Sequence, residues 1–272
     1  MPFVIFVVKP LVFFLGMWSW EPSILLGIAI FLGLYLAAIG PLRSRFRASS
    51  PVPNAQKTWF ILGTFCIFLA LVSPLDELGD NYLFSAHMLQ HSLLVFVVPP
   101  LLLAGTPAWL ADALVRPRLV RTVARTLTHP ISAYLLFNLV FAAWHFPAFY
   151  EAALENQNIH IFEHLCFMVT AVLNWWPVFS PSTLLPRLSA PVQLVYLFLE
   201  GIPCTVLGAV IIFQTTILYT AYASAPALLG VSPMTDQQIA GLIMAMPGAM
   251  AYLIAMSVVF FKWQKKEEAR AF

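Results

Sequence analysis

The chain contains six histidines, and four of them form two pairs of equal spacing. His87 and His91 lie in FSAHMLQHSLLVFVVPP, and His160 and His164 in HIFEHLCFM. Four residues is about one helical turn, so on helices each pair would leave a single face. A fifth histidine, His145, falls between the pairs in AAWHFP. Imidazole is the commonest metal ligand near neutral pH, and two pairs plus a residue from the helix between them can converge on one pocket. Met88 adjoins His87, and Met168 lies one turn beyond His164. A mixed His and Met environment suits a soft ion, with Cu(I) the first candidate. Glu163, inside the second pair, can orient an imidazole by accepting its other N–H. Each residue also has a plainer reading: a lone histidine as a hydrogen-bonded packing residue, each methionine as core, and Glu163 as an interfacial carboxylate.

The elements that must position these residues follow from hydropathy. Of 272 residues, 61% are hydrophobic and 10% charged, and the mean hydropathy is +0.85. That composition excludes an ordinary soluble domain and indicates a polytopic membrane protein. Apolar segments at about 22–41, 58–74, 83–104, 130–150, 159–179, 192–214 and 237–261 predict an all-α bundle of about seven transmembrane helices. Helices are expected because lipid offers no partner to open backbone groups. Three parts follow: an apolar N-terminal arm at 1–21 (interfacial, or an extra helix, interrupted by Lys9-Pro10), the membrane domain at 22–262, and a tail at 263–272.

Charge sets the expected orientation. Thirteen of the 14 lysines and arginines fall on alternate connections and the tail, at Arg43 to Lys57, Arg116 to Arg125, Arg187 and Lys262 to Arg270. The positive-inside rule makes that side, and the C-terminus, cytoplasmic. The opposite connections carry Asp76, Glu77, Asp80, Glu151, Glu155 and Asp236. Five histidines then lie within about two turns of the outer membrane surface, too many at one level to read easily as packing alone. His129, beside the arginines, reads as a loop residue. A net charge of +2 gives no reason to expect a nucleic-acid partner. Cys66, Cys166 and Cys204 form no CxxC and no even set, which argues against a disulfide framework or a thiolate zinc site. Pro99-Pro100 predicts a break in the third span, and Gly201, Gly208, Gly241 and Gly248 read as close-packing positions. Glu200, deep in LFLEGIP, has no assigned role.

Four blocks occur in order across roughly residues 20–262: HMLQHSLLVFVVPPLLLAGTP, WHFPAFYEAAL, HIFEHLCFMVTAVLNWWPV and DQQIAGLIMAMPG. Together they resemble the CtaG-like assembly factors of caa3-type cytochrome c oxidase. The resemblance implies a multi-pass protein of the bacterial cytoplasmic membrane that assembles a haem–copper oxidase by supplying copper. It implies a metallochaperone rather than an enzyme, with the oxidase subunits, an extracytoplasmic copper donor and the lipid bilayer as partners. Carried over by position, the metal residues are His87, His91, His145, His160 and His164, with Asp236 and Met244 of the last block as weaker additions. The arm at 1–20 has no counterpart in the family pattern.

Other chemistries use similar residues. Di-iron oxygenases carry HxxxH boxes, but on the cytoplasmic side. HIFEH spells the HxxEH string of inverted zincins, in which two histidines hold zinc and the glutamate is the base. Histidines on facing helices also ligate haem in membrane redox proteins. A transporter is the remaining alternative, although no inverted repeat is visible.

Overall fold

The computed structural model describes residues 16–225 and 230–271, which form helices and no strands. Most of the N-terminal arm therefore lies outside the described residues. Its end is tied down: Met17 is buried, and the Ser19 amide donates to the Val72 carbonyl at 3.0 Å.

Helix α1 is Pro22–Ile39 and α2 is Asn54–Val72. A short α3, Pro74–Asn81, leads into the third span, built from α4 (Phe84–Ser92), a π-helical turn at Leu93–Val97 and α5 (Val98–Gly105). Two short helices follow, α6 (Ala108–Leu114) and α7 (Arg118–Leu127), then α8 (Pro130–Trp144) and α9 (Pro147–Glu155). The bundle closes with α10 (Gln157–Phe179), α11 (Ala190–Ile212), the single turn α12 (Thr220–Ala223) and α13 (Pro233–Ala271). Prolines in the first turn open α1, α3, α8, α9 and α11, positions where a missing N–H costs nothing.

Six of these segments are long and apolar enough to cross a membrane, and a seventh results if α7 and α8, bent by 69°, count as one span. The protein is thus a multi-pass all-α bundle, as its hydropathy predicts. The fourth span differs from expectation in extent, ending at Trp144 instead of continuing to 150. Pro147 disfavours helical backbone at the residue before it, and Phe146 is extended at φ −71°, ψ 130°. With 15 residues, α8 reaches about 22 Å. The arginine-bearing α7 has no buried residue, so it suits the interface rather than the bilayer interior.

The break in the third span takes a specific form. Pro99 has no N–H for the Val95 carbonyl one turn earlier, and the chain widens into a π turn just before it. The freed carbonyl accepts from Trp175 Nε1 of α10 at 2.9 Å. A buried backbone acceptor is thereby satisfied, and two helices are fixed in register.

The most extensive helix pair is α11 with α13. A Cβ added at Gly208 would lie 2.7 Å from the Gly241 carbonyl oxygen, and one at Gly241 would lie 2.8 Å from the Gly208 oxygen. Only glycines allow that approach. Gly201 does not share the role, because nothing lies within 4 Å of its position. The main core runs between α4, α8, α10, α11 and α13, with Phe84, Phe141, Phe167, Trp175, Leu197 and Tyr252 among its members.

Candidate metal centre

Three local arrangements present the histidines. Asn156 caps α10 by accepting from the Asn158 and Ile159 amides, which places His160 and His164 on its first two turns. Asp236, on the first turn of α13, caps α4 from across the bundle. It accepts from the Phe84 amide at 2.7 Å, the Ser85 amide at 3.3 Å and the Ser85 hydroxyl. His87 and His91 follow on the same helix. His145 is the residue at which α8 ends before the Pro147 break.

All five imidazoles are buried, and they meet. Ring centroids lie 4.2 Å apart for His87 and His91, and 4.3 Å for His160 and His164. The pairs approach one another at 5.4 Å, both for His87 with His160 and for His91 with His164. His145 reaches the group through His91, at 6.0 Å. His129 is not part of it and lines a shallow pocket with Arg125 and Leu188.

The orientation of the rings follows from what holds them. His145 Nδ1 lies 2.6 Å from the Phe141 carbonyl. A carbonyl only accepts, so Nδ1 carries the proton and Nε2 keeps its lone pair. Asp80 of α3 acts on two rings together, with its carboxylate oxygens 3.5 Å from His87 Nδ1 and 3.4 Å from His160 Nδ1. His87 Nδ1 makes no hydrogen bond to that carboxylate, but the negative charge beside both Nδ1 atoms favours the proton there over Nε2. The Nε2 atoms of all five histidines are buried and lack a hydrogen-bond partner, and so do Nδ1 of His87 and His91, Oδ1 of Asp80 and both oxygens of Glu163. Leaving one such group unsatisfied costs about 1–3 kcal/mol. Ten such atoms in one cluster are better explained as a donor set for a ligand than as packing.

The donor set fits a metal ion. Among the described residues, two groups offer ligand atoms within 4.8 Å of one another: His87, His160 and His164; and His87, His91 and Glu163. Imidazole nitrogens with one carboxylate suit copper, zinc or iron. In the inverted-zincin string, the two histidines fall in one group and the glutamate in the other.

The methionines pack around the cluster, and Met168 lines one cavity with His160 and His164. Met88 and Met244 are buried in the main apolar core, and the Met244 carbonyl accepts from Cys204 Sγ at 3.0 Å. Met168 packs on the cluster around Leu94 and Val98. Asp236 has its carboxylate occupied at the α4 terminus. The structure thus brings together His87, His91, His145, His160, His164 and Glu163, and places Met88, Met168, Met244 and Asp236 around them in packing or capping positions.

Sequence reasoning missed three contributors. Asp80 was legible only as one more acid in an outer connection. Gly79 lets it arrive, since a Cβ there would lie 3.0 Å from His87 Cα. Tyr150 covers the cluster, its ring 5.1 Å from that of His87. It is held through its hydroxyl contact with Tyr222 (3.0 Å), which donates to the Gly79 carbonyl at 2.6 Å.

No curated protein and no solved structure matches the chain. The family model of the cytochrome c oxidase caa3 assembly factors matches residues 33–266, a stretch that contains every histidine of the cluster and the helices that carry them, and the chain belongs to that family.

Proposed function

We propose that the protein assembles caa3-type cytochrome c oxidase by holding copper, as Cu(I), in the histidine cluster and passing it to the oxidase. The observation that carries this reading is the set of five buried Nε2 atoms without partners, in a chain of an oxidase-assembly family. Copper is the cargo here. His87, His91, His160 and His164 bind it, His145 adds a nitrogen beside His91, and Glu163 supplies a negative charge. The Phe141 carbonyl keeps the His145 proton on Nδ1 and the Asp80 charge favours the same in His87 and His160, so these coordinating nitrogens need not be deprotonated when the ion arrives.

We place the cluster on the extracytoplasmic side and the C-terminus in the cytoplasm, because the basic residues gather at the other end of the bundle. An extracytoplasmic copper donor would then load the site and the oxidase subunits would receive the ion, with no catalytic step by the protein itself.

Metal analysis of the purified protein after growth with ample copper tests the reading. Copper bound in the native protein and lost in a His87→Ala, His91→Ala double variant is the expected result. Stoichiometric zinc without copper, or a Soret band from bound haem, would overturn it. In cells, His164→Ala at matched expression should lower the copper content of the oxidase, while His129→Ala should leave it unchanged.

A further inference from the structure

The two ligand groups share one residue, His87, and differ in access and in charge. His160 and His164 line a cavity of about 670 Å³ between α1, α2, α5 and α10, which also reaches Asp76 and Gln157 at the α3 and α10 end. Asp80, touching His87 and His160, is 23% exposed. Two residues of the first group, His160 and His164, therefore border the cavity, and the shared His87 lies behind them, buried. His91 and Glu163 do not line that cavity. Glu163 is 1% exposed, its Oε1 lies 3.9 Å from His91 Nε2, and the His91 ring packs against Phe167 at 4.7 Å. The second group, His87 with His91 and Glu163, is sealed.

The first group offers only neutral nitrogens, whereas the second includes a carboxylate. A monovalent cation beside an ionised Glu163 would neutralise it in a low-dielectric setting, where an unpaired charge is costly. A neutral imidazole has a single lone pair, so His87 cannot complete both groups for two ions at once.

We infer that the cluster is one metal site with two seats, a capture seat that borders the cavity and a holding seat set behind it, between which a single ion moves while His87 remains bound. This rests on the metal-holding reading above. His160 and His164 take the ion from the mouth, and His91 and Glu163 draw it inward. Release reverses the path, so the rate of transfer is set by the second seat and the rate of loading by the first.

The test uses the full-length protein in detergent without oxygen, with Cu(I) as the probe and a water-soluble Cu(I) chelator as the acceptor. The native protein should bind one equivalent and release it slowly. Glu163→Gln should still bind one equivalent but release it about 10–100-fold faster, the scale on which altered support of a ligand acts. His164→Ala should still bind one equivalent and load more slowly by a similar factor. His87→Asn keeps a donor toward Asp80 but removes the shared nitrogen, and should bind none. If that variant does not fold, His91→Ala and His160→Ala serve instead: each alone should retain metal and the pair should not. Two equivalents in the native protein would overturn the single-ion scheme. Equal loss of metal in Glu163→Gln, His164→Ala and His87→Asn would show one undivided site and overturn the two seats while leaving the copper-holding function intact. Absence of Cu(I) binding in the native protein would overturn both.

Discussion

Two of the polar clusters buried in the bundle have opposite chemistry. Around Glu200 the side chains satisfy one another. Asn138 Nδ2 donates to Glu200 Oε2 at 3.1 Å, the Tyr196 hydroxyl donates to Asn174 Oδ1 at 2.7 Å, and Asn174 Nδ2 donates to the Tyr252 hydroxyl at 3.3 Å. These contacts link α8, α10, α11 and α13 and leave Glu200 Oε1 as the open atom. Around His87 the ligand atoms instead gather without partners, and the contacts from outside are the Asp80 charge near two rings and the Phe141 carbonyl bonded to His145. The first arrangement ties helices together; the second is held in shape from outside and open within. A polar residue in a membrane protein is thus not informative by its presence, but by whether its neighbours complete it.

The sharpest way to break this contrast is to exchange the behaviour of the two clusters. His87→Asn should abolish copper binding, while Glu200→Gln should leave it intact and cost stability by about 0.6 kcal/mol, the scale of one hydrogen bond between membrane helices. Metal analysis beside thermal unfolding reads both, and loss of copper in Glu200→Gln would erase the distinction.

The outward supports come next in size. Asp80→Asn removes the charge that favours the proton on Nδ1 in two rings, and Gly79→Ala pushes α3 away from the His87 backbone. Each should weaken copper binding by about 10–100-fold, measured by competition with a Cu(I) chelator, with the protein still folded. A smaller effect belongs to the capping of α4. Asp236→Ala should lower stability by about 1–2 kcal/mol and loosen copper only through the position of His87 and His91. A loss of copper larger than that of Asp80→Asn would make Asp236 part of the metal site.

The smallest effect is on pH. Burial pushes the Asp76 carboxyl up to about 7, aided by the nearby Asp80 and Glu77 charges and opposed by the Gln90 hydrogen bond of 2.7 Å. A carboxyl raised in the folded state contributes stability that is complete below its ordinary value of 3.8 and is lost as pH rises through about 7. The unfolding temperature should therefore fall by a few degrees between pH 5.5 and 8, and this component should vanish in Asp76→Asn. An unchanged pH profile in that variant would assign the dependence to other groups.

Much of this protein was decided by local chemistry and could be read from the chain. A helix satisfies every backbone group within its own segment in lipid, so long uninterrupted apolar segments in a chain 61% hydrophobic determined the helical bundle. The i,i+4 spacing determined that His87 would lie over His91 and His160 over His164, because a helical turn is the same everywhere. Pro99 marked a break for the same reason, although the chain did not show that Trp175 would take up the carbonyl freed by it. What the tertiary structure alone decided is which groups face each other across helices. The sequence could not separate Asp80 from Glu77, or reveal that Gly79 brings one of them against two imidazoles. It grouped Met88 with His87, yet side chains on consecutive helical residues point about 100° apart, and Met88 turns into the core. Asp236 lies 151 residues from Ser85 in the chain and caps its helix. Such contacts depend on the rotation and depth of each packed helix, set by the sum of many apolar contacts, which no short stretch of sequence encodes.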